Sequence, residues 1–159
     1  MHIPKSQSQL LEIQDFDSAL KESEIQSHIE YNVEDWFYVP NHYGEYRYIL
    51  GTKGKNPLIC IGINPSTAEP DNLDNTLASV QRIAHFNHFD SFIMFNVYAQ
   101  RATDPDHMEK LFNPYLHAEN MKAFEYILSS AGSSPAIWAA WGTIIEKRDY
   151  LRSCVFDMI

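Results

Sequence analysis

A chain of 159 residues with 45% hydrophobic and 13% aromatic content is long enough for one domain with a sizeable core, short for two, and too apolar to be disordered. A formal net charge of -9 argues against strong nonspecific binding to nucleic acid, which depends on lysine and arginine neutralising phosphates. No apolar run approaches the roughly 20 residues of a membrane helix, Met1 to Gln7 carries no charged-then-apolar leader, and the two cysteines, Cys60 and Cys154, stand at no metal-binding spacing, so a cytoplasmic chain with reduced, buried thiols is expected.

From Ser8 to Tyr31 the apolar positions Leu10, Leu11, Ile13, Phe16, Leu20, Ile25 and Ile29 are irregularly spaced, which predicts one or two short peripheral helices. Trp36 to Val39 and Tyr46 to Leu50 are aromatic, β-favouring runs separated by Pro40 to Glu45, a hairpin with a long turn. Gly51 to Asn56 reads as a flexible linker. Leu58 to Ile63 is a short β-branched run that ends in Gly62, Asn64, Pro65, Ser66 and Thr67, a tight polar loop at the carboxyl end of a buried strand.

Beyond the turn formers Asp71, Asn72 and Asp74, the spacing of Leu77, Val80, Ile83, Ala84 and Phe86 predicts a helix from Asn75 to about His88. Ser91 to Val97 is a second buried strand, ending in Asn96, Gln100, Arg101, Thr103 and Asp104 and closed by Pro105. A helix follows from about Tyr115 to Ser129, with Leu116, Met121, Phe124, Ile127 and Leu128 inward, then a loop over Ser130 to Pro135. Ala136 to Trp141 reads as a third buried strand, with Trp138 and Trp141 in the core, broken at Gly142; Thr143 caps a last helix through Ile144, Ile145 and Leu151. Alternation of strand and helix implies parallel strands with right-handed crossovers. The expected fold is α/β, a three-layer αβα sandwich with a central mostly parallel sheet. It forms a single domain over 1–159, with a helix and hairpin extension at 1–50 and the sheet core at 57–159.

Parallel strands end on one side of the sheet, so Asn64, Asn96 and Gly142 converge there, where open α/β sheets take ligands. An amide offers a donor and an acceptor in one plane, suited to a nucleobase edge or another small polar ligand. Gly62, Pro65, Ser66, Thr67, Asn96, Arg101 and Asp104 are the candidate ligand contacts; for Arg101 with Asp104 the alternatives are a phosphate or carboxylate contact and mutual pairing across a loop. Asn64 lacks the pKa of a base and could only orient a water or a substrate group. The acids near it are Glu69, Asp71 and Asp74, and Asp74 is a catalytic candidate beside Asn64 although helix capping is its better reading. His85 and His88 stand at i, i+3 with no matching acid or cysteine, so no metal and no cofactor is expected.

Gly62-Ile63-Asn64-Pro65-Ser66-Thr67-Ala68, Asp74-Asn75-Thr76, Asn96-Val97-Tyr98-Ala99-Gln100-Arg101-Ala102-Thr103-Asp104-Pro105 and Ala139-Ala140-Trp141-Gly142 together resemble the bacterial and phage family filed as domain of unknown function 1643. That resemblance runs from about Tyr46 to Gly142. The family in turn resembles, more distantly, the uracil-DNA glycosylase superfamily. The likeness implies a uracil-DNA glycosylase-like fold, with Asn64 matching the asparagine that holds the hydrolytic water and Asn96 the one that reads the base. It also implies a late loop carrying His or Asn beside Pro and Ser, while the uncharacterised family usually has a His-Pro stretch near its end; with the chain ending at Ile159, one helix after the third strand, that loop, a fourth strand and the His-Pro stretch are expected to be absent. The expected function is therefore binding of a nucleobase-like or nucleotide-like small ligand, with hydrolysis of an N-glycosidic bond as its sharpest form. Nucleic acid is a disfavoured partner on charge. Two alternatives stay open: a noncatalytic interaction module using the aromatic hairpin around Trp36, Tyr43, Tyr46 and Tyr48, whose protein partner is unknown, and a metal-dependent hydrolase using His85 and His88.

Overall fold

Two runs of six buried residues each, Pro57–Gly62 and Ser91–Asn96, pair in parallel through the centre of the molecule. The computed structural model describes residues 1–5, 11–26 and 30–159. In chain order the elements are α1 (Phe16–Ser23), β1 (Trp36–Val39), β2 (Ile49–Thr52), β3 (Pro57–Gly62), α2 (Asn75–Phe86), β4 (Ser91–Asn96), α3 (Pro114–Ser130), β5 (Ala136–Ala139) and α4 (Asp149–Phe156). Among the described residues five strands form one mixed sheet in the order β1-β2-β4-β3-β5: β3 is parallel to both β4 and β5, while β2 runs antiparallel to β4 and to β1.

Alternation along the two central strands builds two cores. Ile59, Ile61, Ile93 and Phe95 face one side, where Phe16 and Ala19 of α1, Leu116, Ala123, Phe124 and Ile127 of α3, and Leu151 and Cys154 of α4 cover them. Leu58, Cys60, Phe92 and Met94 face the other, under Leu77, Val80 and Ala84 of α2. The three layers are thus α1/α3/α4, sheet and α2. The sheet is more evenly mixed than the sequence suggested, because the hairpin joins it through β2.

Each end of the chain shows a shift. The second hairpin strand is Ile49–Thr52, so Gly51 and Thr52, read as linker, sit inside the sheet with Gly51 opposite Phe37 and Ile93. Tyr46 instead bridges to Gln100. The helix expected within Ser8 to Tyr31 is α1; Leu10 and Ile29 lie outside the described residues. It is not peripheral, since Phe16 and Ala19 are buried. Its amino end is held by Asp15, which accepts from Ser18 N, and by the buried carboxylate of Glu119 on α3, whose Oε2 accepts from Phe16 N at 2.7 Å. A carboxylate at a helix amino end meets both the unpaired N–H and the helix dipole. Glu119→Gln should therefore lower stability by about 1–2 kcal/mol in chemical denaturation. Lys122→Met, which removes only the half-exposed ion-pair partner of Glu119, should lose much less.

The expected last helix is interrupted. Gly142–Glu146 forms a short 3₁₀ turn, and α4 begins only at Asp149. Arg148 between them is extended, with its guanidinium donating to the carbonyls of Asp106, Met108 and Glu109. Nor is the third strand buried: β5 is a sheet edge, and Ile137 and Trp138 are 46% and 38% exposed. Helix α2 covers β3 and β4 and stops short of β5, which corrects the expectation of a core Trp138.

Candidate functional site

The chain leaves β3 for α2 on one face of the sheet and leaves β4 for α3 on the opposite face. Adjacent parallel strands whose connections diverge in this way open a crevice at their carboxyl ends. Gly62 and Asn96, the last residues of β3 and β4, lie side by side in the ladder. Above them is a cleft of about 610 Å³. Its floor is Cys60, Gly62, Met94, Asn96 and Trp138; one wall is Asn75, Thr76, Ser79 and Val80 from the first turns of α2. Ile63, Asn64, Ser66, Ala102, Thr103 and Pro105 form the second wall, and Ala140, Trp141 and Ile144 the side toward β5.

Asn96 is 1% exposed, and among the described residues neither its Oδ1 nor its Nδ2 has a hydrogen-bond partner. A buried amide left unmatched costs about 1–3 kcal/mol. Room beside it comes from Gly62: a Cβ there would stand 2.6 Å from Met94 Cε and 3.1 Å from Asn96 Oδ1. The backbone of Asn96 is fixed from behind by Asn120, whose Nδ2 donates to the Asn96 carbonyl at 2.9 Å.

Asn64 is half-buried and its Nδ2 donates to the carbonyl of Ala102 at 2.7 Å and to that of Pro65 at 3.1 Å. The amide thus staples the two strand-end loops, and Oδ1 is the atom left for a guest or a water. More backbone bonds lace these loops together: Val97 N to Gly62 O, Tyr98 N to Ile63 O and Ala102 N to Pro65 O, each at 2.9 Å.

The cleft therefore gathers Gly62, Asn64, Ser66 and Asn96 of the expected site residues. Pro65 and Thr67 are in the same loop but outside the lining. Asp74 is the N-cap of α2, its Oδ1 accepting from Leu77 N at 2.9 Å, one residue from the lining. Asp104 is exposed and caps the short turn Pro105–His107 through Asp106 N. Arg101 is fully buried behind the loop: its guanidinium donates to the carbonyls of Ser66 and Ala68 and to Tyr38 Oη, and lies 4.2 Å from the centre of the Tyr43 ring. Arg101 does not have Asp104 among its partners. Arg47 joins it on the Ala68 carbonyl at 3.2 Å. Burial, and then the neighbouring Arg101 charge, pulls the Arg47 guanidinium below its ordinary pKa.

Trp138, Trp141, Ser79 and Thr103 were not foreseen in the lining. Thr76 and Ser79 share a helix face at i, i+3, a signal the sequence did carry. Cys60 is the one titratable side chain in the lining among the described residues, and burial pushes its thiol up to about 11. His85 and His88 are exposed at the far end of α2, and no group of three or more His, Cys, Asp or Glu able to hold a metal occurs among the described residues. The aromatic rings of the hairpin are packed inward at Trp36, Tyr38, Tyr46 and Tyr48, with only Tyr43 exposed. No helix in the described residues is long and apolar enough to cross a membrane.

Searches of the curated proteins and of the solved structures found no match. Residues 47–158 match the family model described as Protein of unknown function (DUF1643), a span that takes in both strand-end loops and every wall of the cleft, and the chain belongs to that family.

Proposed function

We propose that the protein binds a nucleobase-like small molecule in the cleft at the ends of β3 and β4, with the Asn96 side chain pairing to its edge. The observation that carries this reading is the buried Asn96 amide with both polar atoms unmatched. A heterocycle with adjacent N–H and C=O groups would satisfy both atoms in one plane. Trp138, Trp141 and Met94 give the apolar surface on which such a ring would lie.

Hydrolysis of an N-glycosidic bond is the more demanding version. There the bond from C1′ to the base nitrogen breaks, its electron pair leaves with the base, and a water oriented by Asn64 Oδ1 bonds to C1′ and gives up a proton. Among the described residues the lining holds no carboxylate or imidazole to take that proton, and Asp74, the acid next to it, is engaged as a helix cap. Binding is accordingly the primary reading and turnover the secondary one.

Titration calorimetry or saturation-transfer measurements with uracil, thymine, cytosine, adenine and guanine and their nucleosides test it. Asn96→Ala should weaken the best binder by at least about tenfold. The same substitution should leave the unfolding midpoint of the empty protein unchanged or raised, because it removes a buried polar group that has no partner. If no member of the panel binds, or if Asn96→Ala binds as the parent does, the reading is wrong. A noncatalytic interaction module is the second reading, supported by the exposed apolar side chains of the β5 edge, Ile137 and Trp138. Retention of a protein partner that is lost in Trp138→Ser, with no small molecule binding, would favour it.

A further inference from the structure

We propose that the cleft selects an uncharged guest, a free base or a nucleoside, and discriminates against the 5′-phosphorylated form and against nucleic acid. This rests on the ligand reading above and adds the charge of the ligand to it.

Phosphate recognition requires cations or free backbone N–H groups aimed at the site. Among the described residues the cleft lining has no lysine, arginine or histidine. The two guanidinium groups closest to the Asn64 loop, Arg47 and Arg101, are 1% and 0% exposed and face the back of that loop. One feature would ordinarily favour an anion: the amino end of α2, whose first residues Asn75 and Thr76 form a wall. A helix amino end carries roughly half a positive charge. Here Asp74 already supplies a full carboxylate to it. Asp104, at the opposite rim beside Thr103 and Pro105, is an exposed second carboxylate. Asp74 and Asp104 each adjoin the lining by one residue, Asp74 also sensing the buried Arg47 and Arg101, so a phosphoryl group entering the cleft gains no exposed cation and approaches two carboxylates in a protein whose net charge is -9. On the solvent side the exposed Arg82, one turn farther along α2, donates to Ser79 Oγ at 2.9 Å.

The test compares the affinity of each nucleoside with that of its 5′-monophosphate and of a short single-stranded oligonucleotide, at low and at physiological ionic strength. The nucleoside is expected to bind at least about tenfold more tightly than its monophosphate, with the ratio growing as salt is lowered and screening lost. In Asp74→Asn combined with Asp104→Asn the ratio should fall toward one, since asparagine keeps the helix cap and removes the charge. Monophosphates or oligonucleotides binding as tightly as nucleosides would overturn the proposal while leaving the ligand reading intact, provided that Asn96→Ala still abolishes the binding. Arg82→Gln then shows whether Arg82 is the cation responsible. Binding of no base, nucleoside or nucleotide overturns both.

Discussion

Gly51→Ala is expected to lower the stability of the folded protein by about 3 kcal/mol or more, a large part of the roughly 5–15 kcal/mol that holds a domain of this size. Gly51 lies in β2 between β1 and β4, and a Cβ placed on it would stand 2.3 Å from the carbonyl oxygen of Phe92 and 2.8 Å from the Cα of Ile93. Both are backbone atoms of the central strand β4, so no rotamer change relieves the collision. β2 would have to lift away from the strand that anchors the hairpin. Chemical denaturation should show a marked fall in midpoint. Gly44→Ala serves as the control, because a Cβ there meets nothing closer than 3.8 Å and should change little. An unchanged midpoint for Gly51→Ala would contradict the close approach of β2 to β4.

Arg101→Met should be nearly as costly, at about 3–5 kcal/mol, and should also abolish binding in the cleft. Its guanidinium satisfies the carbonyls of Ser66 and Ala68 and the hydroxyl of Tyr38 inside the protein. Hydrogen bonds from a charged donor contribute about 1.5–3 kcal/mol each, and their loss strands buried acceptors. Removing Arg101 also relieves its repulsion of Arg47, which remains on the Ala68 carbonyl, and this offsets only part of the loss, because the Ser66 carbonyl and the Tyr38 hydroxyl lose their charged donor. Arg101→Lys keeps the charge but presents a single ammonium in place of a planar fork, so it should fall between the parent and Arg101→Met in stability. Guanidinium rescue of Arg101→Met binding, with no rescue of Arg101→Lys, would show that the fork geometry holds the Asn64 loop in place.

Much of the layered architecture was legible because long elements carry a strong period. α2 and α3 begin and end within two residues of where capping residues and apolar spacing put them, and β3 and β4 coincide with unbroken apolar runs that only a strand buried on both faces would tolerate. Short elements were displaced where tertiary contacts decide. The tyrosine run Tyr46 to Leu50 favours a strand throughout, yet only Ile49 and Leu50 pair as β2, since Tyr46 and Arg47 are drawn to Gln100 and Ala99 across the sheet. Arg148 breaks the last helix for the sake of three carbonyls more than 38 residues away in sequence, which no local pattern reveals. In the cleft, Asn64 and Asn96 were readable as strand-end amides. Arg101 was not readable as the brace behind them, because a guanidinium that binds an anion and one that binds carbonyls look alike in a sequence.

The cleft has banks of unequal stiffness. On one side the Asn64 loop is pinned by its own amide, by three backbone bonds and by Arg101, so its outline tolerates little change. On the other, Trp138, Trp141 and Ile144 rest on an unpaired sheet edge and a single 3₁₀ turn, half open to solvent. On the proposed binding role, variation in guest size among relatives should accumulate on that looser bank, and a divergent sequence with a reshaped β5 rim could accept a bulkier molecule without disturbing the Asn96 floor.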